Sequence, residues 1–335
     1  MINLFVTGHK GYIGSALIKS LDKILFVKDV VGYDLVDGND IMNYDQLEEA
    51  MKKAKPFAVI HLAALSSVAA CNEDPRLAIK INSVGTQNVL NAMKTSNCKH
   101  IIYAGTSSVY GSKESLPYTE DLQPAPCSSY GISKLLGENV IHNHYDLQEN
   151  KGSYLIYRMF NVAGTSGYPE IDLASNPGYD RIFSALEAGA ITIYGKDYPT
   201  FDRTCERDYV ALKDVCDAYV KGINIFRRKN IKEDIKEDIK EDIRETVNIC
   251  TGYPCSVQTI VNIWNLTSKS LIHEDSEDFL PEISFTYGDR REGDPATVYG
   301  SNMKAKEILN WKPYRKIEDI IRDLAHDKKK RFQHE

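Results

Sequence analysis

What this chain lacks narrows it first. No apolar run reaches the roughly 20 residues that cross a bilayer, so no membrane partner is expected. It has no arginine- or lysine-rich arm, and its net charge of −6 gives a nucleic-acid partner no electrostatic footprint. It has no CxxC. Its seven cysteines stand scattered at 71, 98, 127, 205, 216, 250 and 255, so no metal site is expected. An odd, unpaired count suits reduced thiols in a cytoplasmic setting. Met1 leads straight into an apolar segment without a basic region or cleavage site, and no secretory leader is expected. What is present is an ordinary globular composition, 42% hydrophobic and 26% charged over 335 residues. That length holds one large or two ordinary domains.

The first half alternates strand and helix. Ile2 to Val6 is an apolar run, Thr7-Gly8-His9-Lys10-Gly11-Tyr12-Ile13-Gly14 follows, and Tyr12 to Leu21 has an amphipathic pattern. In this strand, turn and helix, Gly8 permits the tight turn, Gly11 lets backbone approach a pyrophosphate, and Gly14 lets the helix pack close to the strand. The helix N-terminus offers unpaired N–H groups to phosphate, with Lys10, Tyr12 and Ile13 around it. The second strand ends at Asp34. An acid about twenty residues past the glycines accepts ribose hydroxyls and repels a 2′-phosphate, which favours NAD over NADP. Asp40 and Ile41 are placed to meet the adenine edge. The third strand, Phe57 to Leu62, is followed by Ala63 and Ala64, small enough to leave a ligand room. Leu77 to Met93 reads as one helix carrying Asn82, a further candidate cofactor contact. A strand at His100 to Ala104, a helix at Tyr130 to Asn150 and a strand at Tyr154 to Arg158 complete a half that predicts a doubly wound parallel sheet.

The second half is less regular and reads as a smaller α/β lobe. Asn161 to Gly178 reads as loop, Arg181 to Ala188 as helix, Ile191 to Tyr194 as strand, Lys213 to Asn224 as helix and Val247 to Ile249 as strand. Tyr253 to Asn265 and Lys304 to Asn310 read as helices. The expected division is a nucleotide-binding domain over 1–160 and a substrate lobe over 161–335, some of whose elements return to the sheet. Residues 229–245 read as a charged insertion built on a repeated Ile-Lys-Glu-Asp, whose four-residue period gives no straight apolar stripe.

Chemistry enters with Tyr130-Gly131-Ile132-Ser133-Lys134. A Tyr and a Lys four apart share one helix face. A phenol is a poor base at neutral pH, and a fixed ammonium one turn away favours its ionised form. The pair is a candidate proton-transfer group for an alcohol.

These motifs together resemble the extended short-chain dehydrogenase/reductase family, and within it the UDP-glucose 4-epimerases. The likeness covers nearly the whole chain. The N-terminal marks are TGHKGYIG at 7–14, HLAA at 61–64, Thr106 before SSVYG, and YGISK at 130–134. More specific are RMFN at 158–161, YGKDYPTFDRTCERDY at 194–209 and RREGDP at 290–295. The resemblance implies a Rossmann-type fold, bound NAD, a UDP-sugar substrate and a homodimer. It makes Thr106, Tyr130 and Lys134 the catalytic group. It also carries substrate contacts onto Asn161, Tyr194, Arg207, Tyr209, Arg291 and Asp294. A diphosphate calls for fixed cations, and the planar fork of an arginine binds its oxygens in pairs. Arg207 and Arg291 fill that role, Asn161 donates to phosphate or sugar, and Asp294 takes ribose hydroxyls. A structural Arg207–Asp208 ion pair is the alternative.

The expected reaction removes the proton of the C4 hydroxyl through Tyr130, with Thr106 sharing the hydrogen bond, passes the C4 hydride to NAD and back, and inverts C4 through a 4-keto sugar. Several positions depart from the epimerase pattern. Ser66 and Met159 are unusual, and the Asn-Leu pair of the family falls near Gly178-Tyr179. Val298 stands where a side chain limits room around the hexose, and its size could admit an N-acetyl group. Other epimerases, reductases and dehydratases of the family are the nearest alternatives. The 4,6-dehydratases place Asp-Glu after the Thr, where this chain has Ser107 and Ser108. A non-catalytic NAD-binding protein is the alternative of another class, and the retained Tyr, Lys and Thr argue against it.

Overall fold

The structure is a computed structural model, and it describes residues 1–147, 150–168, 181–234, 242–270, 282–291 and 293–332. In the first strand, β1 (Ile2–Thr7), Leu4 and Val6 are buried in one core cluster and Phe5 in a second. Successive strand residues point to opposite faces, so the sheet must be covered on both. After β1 come α1 (Tyr12–Leu21), β2 (Val27–Tyr33), α2 (Tyr44–Ala54), β3 (Ala58–His61), α3 (Val68–Glu73), α4 (Pro75–Ile79), α5 (Gly85–Thr95), β4 (His100–Thr106), α6 (Ser129–His142) and β5 (Ser153–Met159). The second half adds β6 (Asn161–Ala163), α7 (Arg181–Ala188), β7 (Ala190–Tyr194), β8 (Glu206–Ala211), α8 (Leu212–Asp234), β9 (Arg244–Ile249), β10 (Pro254–Ser256), α9 (Val257–Ser270), β11 (Ser284–Gly288), β12 (Thr297–Val298), α10 (Met303–Leu309) and α11 (Ile317–Phe332).

The main sheet has the order β2-β1-β3-β4-β5-β9, with every neighbouring pair parallel. The outermost of these strands, β9, comes from the second half. One face packs on α1, α8 and α11 through Leu17, Tyr219 and Ile321, among others; the opposite face packs on α2, α5 and α6 through Met51, Leu90 and Ile141. This is the doubly wound α/β layering, and burial on both faces is why its strands read as near-continuous apolar runs. Each fully buried Leu of this core contributes roughly 1.5–3 kcal/mol. Beyond the main sheet, β8 pairs with β6, β10 and β12, and β7 pairs with β11.

Four local expectations are corrected. The helix over 77–93 contains a π-helical turn at Lys80–Val84, so α4 and α5 are offset by an extra residue. The helix from Tyr130 likewise ends its α-helical run at His142 and continues as a π turn to Leu147. Asn161–Ala163 is strand, not loop, because Tyr209–Ala211 pairs with it; partnership overrides loop-like composition. Pro254–Ser256 is also strand, with α9 starting only at Val257. Pro254 is its first residue on a sheet edge, where a missing N–H is tolerated. The first Ile-Lys-Glu-Asp unit continues α8 to Asp234, while residues 235–241 and the Gly178-Tyr179 position lie outside the described residues. Among the described residues no helix is long and apolar enough to cross a membrane.

Candidate active site

Strand order reverses at β1, which has β2 on one side and β3 on the other. Ligands of open parallel sheets bind outside the carboxyl ends of the strands at such a point. Gly8 ends β1 there with φ +71°, and a Cβ on it would lie 2.6 Å from the Ala63 nitrogen after β3. A Cβ on Gly14 would lie 2.2 Å from the Gly8 carbonyl oxygen. Only glycine lets α1 and the loop after β3 come this close. Gly11 caps α1 without a side-chain hydrogen bond, which leaves the first helical N–H groups available to an anion.

Asp34 is held for its role. Its Oδ2 accepts from Lys10 N at 2.9 Å and its Oδ1 from Val36 N at 3.0 Å, tying the end of β2 to the glycine turn. Asp40 accepts from Met42 N at 2.8 Å, and Ile41 is buried with its carbonyl held by Asn88. Tyr12 is buried and donates to the Gly164 carbonyl at 2.7 Å, while Ile13 and Leu62 pack half-buried on the core. Ala64 is half-buried beside Ala63. Asn82 lies in the π turn and commits its amide to protein. It accepts from Leu65 N at 2.8 Å and donates to Leu65 O at 3.0 Å and Ser133 Oγ at 2.9 Å. It therefore joins the crevice loop to the middle of α6.

Thr106 ends β4, and Tyr130 opens α6. Ser128 caps this helix by accepting from Gly131 N at 3.1 Å. A Cβ on Gly131 would lie 2.6 Å from the Ser108 carbonyl, so its absence lets α6 press onto the turn after Thr106. The result places the Tyr130 phenol near enough to Thr106 for that side chain to favour its ionised form. Lys134, one turn on, is 2% exposed, and its Nζ lies 4.1 Å from the centroid of the Tyr103 ring.

The electrostatics correct one expectation. Spacing alone implies that Lys134 makes the phenol acidic. Instead the dense surroundings of its hydroxyl push Tyr130 up to about 12, with nearby Thr106 drawing it partly back. Burial also pushes Lys134 down to about 7, against the pull of Glu138. Desolvation disfavours both charged forms and is the largest effect on each.

In the second half, Arg207 Nη2 donates to Asp294 Oδ1 at 2.5 Å, and Tyr198 donates to Asp294 Oδ2 at 3.3 Å. Arg291 stacks on Tyr194 at 4.0 Å and Arg290 on Tyr198 at 4.1 Å. The Arg207–Asp208 pair is not formed. Neighbouring strand residues face opposite ways, and Asp208 accepts from Thr251 and Gly252 instead. Tyr209 is buried against Phe183 and pairs in register with Asn161. Val298 pairs with Arg207 and packs beside Val109, Tyr110 and Phe160, which ties this cluster to the turn after Thr106.

Three residues around the site are given no role by the sequence. Ser133 bridges Asn82 and the Tyr130 carbonyl, and Glu138 and Arg158 form a buried ion pair under α6 at 2.8 Å. Glu138 continues the four-residue spacing of Tyr130 and Lys134, a signal the sequence does contain.

A model of the NAD dependent epimerase/dehydratase family matches residues 4–236. A UDP-glucose 4-epimerase of Lacticaseibacillus casei is 30% identical over 343 residues, covering 96% of this chain and 95% of that protein. One from Pisum sativum is 28% identical, covering 96% and 93%. Among solved structures, UDP-glucose 4-epimerase from Brucella ovis in complex with NAD superposes with a TM-score of 0.84 at 27% identity, covering 98% of this chain and 99% of that one.

Proposed function

The chain belongs to the NAD dependent epimerase/dehydratase family, and we propose that it is an NAD-dependent UDP-sugar 4-epimerase. The observation that carries this reading is the packing of Tyr130 and Lys134, one turn apart on α6, against the turn after Thr106 at the end of β4, with Asn82 linking α6 to the crevice where Gly8 meets Ala63. Relatives named UDP-glucose 4-epimerase over nearly the full length support the same reading.

The crevice fits a dinucleotide. Gly8, Gly11 and Gly14 leave room that a Cβ would fill, α1 offers uncapped N–H groups to a pyrophosphate, and Asp34 presents a fixed carboxylate to the adenosine ribose. When bound, NAD supplies a hydride acceptor for C4 and a positive ring whose field favours a nearby phenolate. Tyr130 takes the proton of the C4 hydroxyl, and Thr106 orients that hydroxyl and shares its hydrogen bond. Lys134 holds the nicotinamide ribose and supplies positive charge to the ionised phenol. Because burial opposes the phenolate, its ionisation depends on the positive charges of Lys134 and the bound cofactor. Arg207 and Arg291 grip the diphosphate, Asp294 fixes the fork of Arg207, and Asn161 donates to phosphate or sugar. Few strong contacts then fall on the hexose, which must turn to receive the hydride on its other face.

The substrates are UDP-glucose and UDP-galactose, with the N-acetyl forms admitted where Val298 leaves room. The chain works as a homodimer in the cytoplasm. The apolar side chains of Leu77, Ile79, Val84 and Ile132, exposed along α4, the following turns and α6, are the surface a second copy would cover. NMR of products formed from UDP-, dTDP- and GDP-sugars tests the reading. A new C4 epimer of a UDP-sugar without net NADH absorbance is expected, and bound NAD with every sugar unchanged would refute it. Light scattering checks the dimer.

A further inference from the structure

We propose that Glu138 and Arg158 are positioning residues that keep Lys134 charged. The inference rests on the proposed role of Lys134. Tyr130, Lys134 and Glu138 occupy successive turns on one face of α6. The Glu138 carboxylate is 1% exposed and takes Arg158 Nε at 3.2 Å on both oxygens and Nη2 at 2.8 Å on Oε2. Arg158 is itself 5% exposed and stacks on Tyr110 at 4.9 Å. A carboxylate this deep keeps its charge only with a partner, and Arg158 is that partner.

The surroundings of Lys134 show why a charge one turn away matters. Tyr103 of β4 faces it with a neutral ring, and burial drives the Tyr103 phenol well up. His61 of β3 is driven down to about 3 by burial and by Lys134, so it stays neutral. Cys71 of α3 is raised by burial and stays a thiol. Tyr130 is a neutral phenol at rest. Among the described residues this leaves Glu138 as the full negative charge acting on Lys134. Arg158, Glu138 and Lys134 thus alternate plus, minus, plus behind the phenol. The order of charge runs from β5 through α6 to the site.

Two variants read this directly. Glu138→Gln removes the attraction and leaves Arg158 buried. Glu138→Leu with Arg158→Met replaces the pair by apolar groups and guards against a folding defect. Lys134 is followed in the NAD-loaded protein by the ¹⁵N shift of its Nζ, assigned with Lys134→Arg. Its midpoint is expected to fall by about one pH unit in Glu138→Gln, a tenfold loss in the ammonium-to-amine ratio. A smaller fall is expected in the double variant, and little change in Glu138→Asp. The alkaline limb of kcat should move down with it. A stable double variant whose Lys134 midpoint and pH profile match the parent would overturn the proposal, because a purely structural pair changes melting alone. A shifted midpoint in a protein that epimerises nothing would instead overturn the proposed function and leave this inference standing.

Discussion

Arg207 and Asp294 are bound to each other at 2.5 Å before any ligand is considered. By sequence the two stand at separate parts of the nucleotide. The structure makes the carboxylate the device that aims the guanidinium, and Arg207 Nη1 is also fixed by the Glu206 carbonyl at 2.6 Å.

A fixed fork predicts a binding defect. Arg207→Ala should raise KM for the UDP-sugar by about 10- to 100-fold, as expected for loss of charged hydrogen bonds of roughly 1.5–3 kcal/mol. Asp294→Asn should raise it less, since Asn still accepts from Arg207. Steady-state kinetics of both variants check the order, and equal losses in kcat with unchanged KM would contradict it.

The glycine turn predicts a cofactor defect. In Gly14→Ala the new Cβ meets the Gly8 carbonyl at 2.2 Å, so α1 must move away from the turn. NAD affinity, measured by calorimetry, should fall at least tenfold, and melting should drop by several degrees. Unchanged affinity would mean that the α1 terminus does not hold the pyrophosphate.

Burial of Lys134 predicts a pH signature of stability. Its value of about 7 lies below the ordinary 10.5, so between those pH values the cofactor-free folded protein binds fewer protons than the unfolded chain. Stability from this group therefore rises as pH climbs through that window, and the full penalty applies below about 7. Lys134→Met should raise the melting point by a few degrees at about pH 6, with the gain fading toward about pH 10. A gain that grows with pH would reverse the assignment.

The β/α half is legible in sequence because each strand is buried on two faces and each helix on one, so the apolar spacing names the element. The helix at Tyr12–Leu21 is read to the residue for that reason. Asn161–Ala163 is not legible, since only its pairing with β8 makes it a strand. The C-terminal helix Ile317–Phe332 is missed, although it supplies Ile321 and Leu324 to the core. Spacing does bring Tyr130 and Lys134 onto one face, but spacing carries no information on how dry that face is. The acidity of the phenol is therefore not legible in the spacing. Glu138 and Arg158 sit on different elements, and nothing local announces that they meet.

The central claim is that hydrogen leaves C4 and returns to it within one site, with Tyr130 moving the proton. UDP-glucose carrying deuterium at C4, incubated with the NAD-loaded protein and followed by NMR, tests it most directly. The account predicts a C4-inverted sugar that keeps its deuterium, and at least a thousandfold slower formation in Tyr130→Phe with NAD still bound. Deuterium lost to solvent, or full turnover in Tyr130→Phe, would contradict it.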